Sequence, residues 1–197
     1  MKIMFSVNID KLVGMTINEE KSYNDLVGTI KSELGSKKCL AVTKNAMSTF
    51  KLAYSFTKAG EKVLFIDGDI VSDVFLGKYK LGKNMKGVAD FLKKTDGGAN
   101  LICKTNDSDM DIIFTGVLED GVVTDAEEEM MKNLIEKFLP NYDRIVISAD
   151  EEGRIAKYCD GTVIMYDESE FGEIAAQNYT SELEDKNCNV LGVVINE

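Results

Sequence analysis

Short apolar runs alternate with longer amphipathic segments along almost the whole chain, and this alternation restricts the fold more than any other feature. The apolar runs lie at residues 37–43, 61–67, 100–105, 109–116, 142–148, 160–167 and 189–196, and the helical segments include residues 48–59, 124–140 and 169–185. Strands that alternate with helices form parallel β-α-β units, and continuously apolar strands are typical of a sheet covered on both faces. We therefore predict an α/β fold, a three-layer sandwich around a mostly parallel sheet.

The length of 197 residues suits one domain with one sizeable core. The sequence shows no internal repeat, low-complexity stretch or linker, so we predict a single domain over residues 1–197. Residues 18–35 form an amphipathic segment ahead of the first long strand, with Leu26, Ile30 and Leu34 on one side. This segment predicts a helical lead-in to the domain.

The chain is strongly acidic, with 23 basic and 34 acidic residues and a net charge of −11. Such a charge disfavours binding to nucleic acid or to an anionic membrane surface. No stretch approaches the roughly 18 apolar residues that span a bilayer, so we expect no membrane insertion. The first residues lack a basic head and a small-residue cleavage site, and the predicted location is therefore the cytoplasm.

Cysteine and histidine usage excludes several kinds of site. The four cysteines, Cys39, Cys103, Cys159 and Cys188, form no C-x-x-C pair, and the chain has no histidine. We therefore expect no zinc site and interpret the cysteines as buried reduced thiols. The absence of histidine also removes the commonest general base and every Ser-His or Cys-His nucleophile.

The segment 39–75 carries the strongest functional signal. Val42-Thr43 ends a strand, Ser48-Thr49 opens a helix, and Asp67-Gly68-Asp69 follows the next strand. This arrangement resembles the opening of the bacterial tyrosine kinases of polysaccharide export. Those kinases are deviant Walker P-loop NTPases, as are the chromosome-partitioning and septum-positioning ATPases, which the segment resembles less closely.

The similarity continues downstream over roughly residues 20–197. Residues 87–92, the Tyr142-Asp143 pair before a strand, and the final strand at 191–196 match family segments in order and spacing. The resemblance implies a P-loop NTPase-like fold and an ATP-dependent tyrosine kinase as the ancestral activity. It assigns catalytic roles to Asp67 and Asp69, nucleotide binding to Ser48, Thr49 and Asn196, and Mg²⁺ binding to Ser48 and Asp67, and Lys44 is a further candidate for nucleotide binding as a substitute cation.

The phosphate-binding loop departs from the family pattern. The family places seven residues between the strand-end threonine and an essential lysine, whereas this chain has only Lys44, Asn45 and Ala46, none of them glycine. Met47 stands at the lysine position, and Ser148 replaces the Walker B aspartate. Phosphate loops work by surrounding phosphates with backbone N–H groups and a lysine ammonium. We therefore predict that the chain binds no nucleotide, or binds ATP or ADP with Mg²⁺ only weakly.

Two residues remain open to alternative interpretations. Lys44 is either a solvated turn lysine or a substitute for the missing cation. Asp67 is either a ligand of a residual Mg²⁺ site or a residue that hydrogen-bonds its own loop.

The resulting hypothesis is a catalytically degenerate relative of the bacterial tyrosine kinases, acting as a regulatory or binding subunit in capsular or exopolysaccharide biosynthesis. The expected partners are a membrane modulator of chain length, which would hold the protein at the inner face of the membrane, or a full kinase, and an oligomer is an option. The alternatives are an active tyrosine kinase with an unusual loop, a relative of the partitioning ATPases, and a standalone α/β domain with an unrelated ligand.

Overall fold

The computed structural model describes residues 6–9, 13–69, 87–93, 101–115 and 124–196. Asn100, the first residue of the predicted strand run 100–105, and Gly116, the last residue of the run 109–116, lie outside these residues. Within the described ranges the strands are β1 (Ser6–Val7), β2 (Cys39–Thr43), β3 (Val63–Asp67), β4 (Cys103–Thr105), β5 (Met110–Ile113), β6 (Arg144–Ser148), β7 (Gly161–Asp167) and β8 (Val190–Asn196). The α-helices are α1 (Ile17–Leu34), α2 (Ala46–Lys58), α3 (Val88–Leu92), α4 (Asp125–Phe138) and α5 (Glu173–Asp185).

The strands form one sheet in the order β1-β4-β5-β3-β6-β2-β7-β8. All neighbours pair in parallel except β4 and β5, which are antiparallel. The prediction of a mostly parallel α/β sandwich is therefore confirmed. The sequence did not indicate β1, because a strand of two residues is too short to show a period, and it did not give the direction of β4.

Helices cover both faces of this sheet. One apolar cluster packs α4 and α5 against the sheet and includes Leu134 and Leu183, and the other packs α1 and α2 and includes Ile30 and Phe50. Strands β2, β3, β5 and β6 are buried at every residue, as continuous apolar runs require when both faces are covered.

Helix α1 occupies the region of the predicted lead-in. Thr16 caps it through a capping box with Glu19, and Gly35 follows its last residue with φ of 57°. The buried side includes Ile30 and Leu34 as expected, but Val27 is buried where Leu26 was predicted, and Leu26 is only half-buried. The buried stripe is thus rotated by about one residue from the predicted one.

A buried ion pair holds the amino-terminal ends of the central strands. Arg144, at the start of β6, donates from Nε and Nη2 to the two carboxylate oxygens of Glu61 at 2.9 and 3.2 Å. Its Nη1 donates to the carbonyl of Lys37 at 2.9 Å, and its guanidinium lies 4.8 Å from the ring centroid of Phe56. This contact fixes β6 against the chain segments that enter β2 and β3.

Candidate functional site

Five parallel strands end in polar residues at the same edge of the sheet. In spatial order β3 ends at Asp67, β6 at Ser148, β2 at Thr43, β7 at Asp167 and β8 at Asn196. The carboxyl edge of a parallel sheet is where α/β proteins bind ligands. This edge is therefore the candidate site, and it contains the positions that the sequence predicted.

The connection between β2 and α2 is a two-residue turn. Lys44 has a φ of 79°, a left-handed conformation that is uncommon for a residue other than glycine. Asn45 caps the helix, because its Oδ1 accepts from the N–H of Ser48 at 2.9 Å. Its Nδ2 donates to Oδ1 of Asp167 at 2.8 Å. In a P-loop the N–H groups at the start of this helix bind phosphate. Here the N–H of Ser48 is hydrogen-bonded by the side chain of Asn45 instead.

The ammonium group of Lys44 is also engaged within the protein. Its Nζ lies 2.5 Å from Oε2 of Glu151 and 4.6 and 5.8 Å from the ring centroids of Tyr179 and Tyr166. The hydroxyl of Tyr179, on α5, donates to the backbone carbonyl of Glu151 at 2.9 Å. This hydrogen bond holds the loop that contains Glu151 against α5. In this structure Lys44 is therefore engaged by the protein, and its role as a nucleotide-binding cation stays a prediction.

Ser48 and Thr49 lie in the first turn of α2. Oγ of Ser48 accepts from Nδ2 of Asn196 at 2.8 Å, so the structure brings these two predicted site residues together. Thr49 is fully buried, and its hydroxyl donates to the carbonyl of Asn45 at 2.7 Å. Thr49 thus stabilises the helix start and presents no group to the carboxyl edge.

A cavity of about 970 Å³ opens beside Ser48 and Asn196. Its lining includes Glu19, Asp167 and Glu168 against one cation, Lys51. Lys51 donates to Glu19 at 2.6 Å, and this hydrogen bond is the main reason that the pKa of Glu19 falls to about 2. The charged groups of the cavity sum to a negative total, which repels a polyphosphate.

Asp67 is 2% exposed, and its Oδ2 has no hydrogen-bond partner among the described residues. Burial raises its pKa to about 7; hydrogen bonding from Thr115 opposes the rise, and the charge of Asp69 adds to it. A buried oxygen without a partner is costly unless a proton or a cation occupies it. Asp67 therefore keeps the chemistry of a cation ligand, whereas Asp69 is half-exposed.

Ser148 ends the strand next to Asp67, and Asp150 follows two residues later in the loop. Ser148 is the register partner of Asp67, and the N–H of Gly68 donates to its carbonyl at 2.9 Å. A side chain at Gly68 would place its Cβ 3.0 Å from that carbonyl oxygen, so the two strand ends approach closely. Asp150 is used internally, accepting from the N–H groups of Arg154 and Ile155. The Walker B carboxylate is thus not replaced by its neighbour.

The residues present do not fit a nucleoside triphosphate. The turn supplies two residues of backbone, the helix start is capped by Asn45, and the ammonium of Lys44 is bound by Glu151. Among the described residues, no group of three or more acidic or cysteine side chains is arranged to hold a metal ion. Of the buried carboxylate oxygens in the described part of the chain, Oδ2 of Asp67 alone has no hydrogen-bond partner.

Glu151, Tyr166 and Tyr179 were missed from the sequence. Glu151 lies 107 residues from Lys44, and no local pattern connects the two. The cap by Asn45 had a usable signal, because asparagine just before an amphipathic segment is a common helix start.

Replacing Asn45 with alanine should destabilise the protein by about 1 kcal/mol, because the N–H of Ser48 loses its acceptor. Asn45→Ser is the matched control, since serine also caps helices but cannot donate to Asp167 as the amide does. Urea unfolding of wild type, Asn45→Ala and Asn45→Ser measures the contribution of the helix cap and that of the hydrogen bond to Asp167. Equal stability of the alanine and serine variants would show that the cap contributes nothing.

Comparisons with known proteins identify similar sequences and similar folds. No family model matches the chain. The chain is 25% identical over 190 residues to the tyrosine-protein kinase CpsD of Streptococcus pneumoniae serotype 4, covering 90% of this chain and 84% of the relative. It is 24% identical over 202 residues to CpsD of Streptococcus agalactiae, covering 96% and 88%.

Solved structures with the same fold include a tyrosine kinase domain and a septum site-determining protein. The chimerical protein CapA2B2 has a TM-score of 0.76 at 18% identity and covers the whole of this chain, with 94% of its own chain covered. The kinase domain of the Escherichia coli tyrosine kinase ETK has a TM-score of 0.76 at 15% identity, with 100% and 90% covered. The septum site-determining protein MinD from Pyrococcus horikoshii, complexed with Mg-ADP, has a TM-score of 0.61 at 18% identity, with 81% and 70% covered.

The sheet order, with helices on both faces, is that of a P-loop NTPase-like fold, which the chain shares with the ETK kinase domain and with MinD. The matched sequences show that the chain is a relative of the bacterial tyrosine kinases, as its sequence predicted. In the part of the chain that the structure describes, no helix combines the length and the apolar character needed to cross a bilayer.

Proposed function

We propose that the protein is a tyrosine kinase relative that has lost catalysis and acts as a regulatory or binding subunit in capsular or exopolysaccharide biosynthesis. The observation that carries the proposal is the turn between β2 and α2, in which Asn45 and Lys44 are both bound by the protein itself. Charge-assisted hydrogen bonds contribute roughly 1.5–3 kcal/mol each. Losing several of them weakens nucleotide binding by orders of magnitude.

Two further features support the proposal. Ser148 offers a neutral hydroxyl where the family has a metal-binding carboxylate, and the adjacent cavity carries a negative charge. The sheet of the kinase fold is nevertheless retained. A retained fold without a phosphate loop suits a protein that acts by binding a partner. We also propose that residues 1–197 form one domain, and that it works with a membrane modulator protein or with a full kinase, which places it at the inner face of the membrane.

Calorimetric titration of ATP with Mg²⁺ tests the loss of nucleotide binding, with the pneumococcal CpsD kinase as the positive control. We expect no heat of binding at nucleotide concentrations that saturate the control. Lys44→Ala should leave this result unchanged, because Lys44 is held by Glu151. Micromolar binding that Lys44→Ala abolishes would contradict the proposal and support an active kinase in which Lys44 replaces the lost lysine.

A weaker second candidate is a residual site for Mg²⁺, alone or with ADP. The unpartnered Oδ2 of Asp67 and the contact between Ser48 and Asn196 favour it, and the similar MinD structure contains Mg-ADP. Such a site would involve Asp67, Ser48 and Asn196 without the phosphate loop. A radiolabel assay for autophosphorylation tests whether this site supports catalysis. We expect no signal from wild type or from Asp67→Ala. A signal from wild type that Asp67→Ala abolishes would show that the protein is an active kinase.

A further inference from the structure

Strand β8 leaves a long apolar edge at one end of the sheet. It pairs only with β7 among the described strands, and its sequence VLGVVIN contains no charge and no proline. Natural proteins usually protect an edge strand with lysine, proline, a bulge or a covering element, because its unpaired N–H and C=O groups attract another strand. Strand β8 has an irregularity at Leu191, near its start, and residues 192–196 then pair regularly with β7. None of the described elements covers the outer side of β8.

An apolar groove runs beside this edge. The edge groove, as it is called below, lies between β8 and α5, has a volume of about 530 Å³, and is lined by Phe171, Ala176, Gln177, Thr180, Val193 and Ile195. Phe171, Val193 and Ile195 are 37, 39 and 43% exposed, although they are large apolar side chains. Phe171 is held in place by an edge contact with Tyr166 at 5.8 Å between ring centroids.

The chain around the groove is acidic throughout. Residues 158–185 contain no lysine or arginine and eight acidic residues, which are Asp160, Asp167, Glu168, Glu170, Glu173, Glu182, Glu184 and Asp185. Glu173 lines the groove itself, and Glu168 and Glu170 are exposed beside Phe171. Glu173 is thus the charged residue in the groove lining, and Glu168 and Glu170 add negative charge beside Phe171, so the groove with this acidic rim favours a basic occupant.

We propose that the edge groove binds a basic segment of a partner protein, which adds as a strand to β8 and places alternate apolar side chains in the groove. Strand addition uses the free backbone groups of β8, and the acidic rim attracts lysine and arginine. A second copy of this chain would bring two acidic rims together, and an anionic lipid surface would be repelled. This inference is independent of whether the carboxyl edge binds nucleotide.

Fluorescence anisotropy with labelled peptides of about nine residues, long enough to span one strand, tests the proposal. A peptide that alternates lysine and valine should bind, and versions that alternate glutamate and valine, or lysine and serine, should bind at least about tenfold more weakly. Val193→Lys, Ile195→Lys and Glu173→Lys should each weaken the lysine–valine peptide by about the same factor. Ile17→Lys is the matched control, because Ile17 is 85% exposed on α1, and it should change nothing.

Backbone methylation separates strand addition from simple attraction. Two versions of the lysine–valine peptide carry N-methyl groups either on the valines or on the lysines, and one of them should lose binding because its hydrogen bonds to β8 are blocked. Equal binding of both methylated peptides, or equal binding of wild type and the groove variants, would overturn the proposal. A concentration-dependent dimer that Ile195→Lys dissociates would also overturn it, by assigning the groove to a second copy.

Discussion

Asp67→Asn should stabilise the protein increasingly as the pH rises. The pKa of Asp67 is about 7 in the folded protein against an ordinary value of 3.8, because the carboxyl group is buried. The folded state therefore binds this proton more tightly than the unfolded state, and wild type loses stability as the pH rises through the folded pKa. Asparagine does not titrate, so the free energy of unfolding of the variant relative to wild type should rise by about 2–3 kcal/mol between about pH 5 and pH 8.

Urea unfolding at several pH values measures this difference. Asp25→Asn removes an exposed carboxyl group from α1 and controls for the loss of one negative charge from an acidic protein. A constant difference between wild type and Asp67→Asn across this range would show that the carboxyl group titrates normally. Adding Mg²⁺ at the higher pH separates the two roles of Asp67: a residual cation site predicts stabilisation of wild type and none of Asp67→Asn.

Arg144→Met should destabilise the protein by up to about 3 kcal/mol, the lower end of the cost of removing one partner of a buried ion pair, because Glu61 is only partly buried and keeps a second partner. Methionine keeps much of the packing on Phe56, but Glu61 then retains only Lys31, at 2.9 Å, and the carbonyl of Lys37 loses its donor. Burial alone would raise the pKa of Glu61, but hydrogen bonds from Arg144 and Lys31 outweigh it, and the pKa is lowered. The destabilisation should therefore shrink in acid, as Glu61 becomes protonated.

Chemical denaturation of two further variants controls for this effect. Lys132→Met breaks an exposed pair with Glu136, separated by 3.9 Å, and should cost less than about 0.5 kcal/mol. The double variant Arg144→Met/Glu61→Leu removes both buried charges and should recover much of the loss, since apolar pairs often replace buried ion pairs at little cost. A double variant less stable than Arg144→Met alone would mean that packing, and not the orphaned charge, sets the cost.

The sheet was predictable because its signal is local. Strands β3 and β6 are buried at every residue, and their largely apolar sequences indicate this burial directly. The antiparallel β4 and the two-residue β1 were not predictable, because strand direction and very short pairings depend on distant partners. Parallel strands have their carboxyl ends at the same edge of a sheet. Asp67, Ser148 and Asn196 each end such a strand, and they therefore lie at one edge.

The state of Lys44 could not be predicted for a physical reason. Its environment is made by Glu151, Tyr166 and Tyr179, which come from a loop, β7 and α5, and only tertiary packing brings them together. The loss of the phosphate loop was visible as missing residues. The contacts that Asn45 makes with Asp167 and Lys44 makes with Glu151 in its place were not predictable from the sequence. Contacts between residues that are distant in the chain form no sequence motif.

The order of strands in the sheet has a consequence for synthesis and folding. The central strand β2 pairs on its two sides with β6 and β7, so Leu40 meets Val146 and Gly161, more than a hundred residues later in the chain. A nascent chain that ends before Arg144 therefore carries an apolar strand with neither neighbour available. Such non-local pairing slows folding and exposes strand edges to aggregation. The emerging protein should depend on chaperones until its last third has left the ribosome.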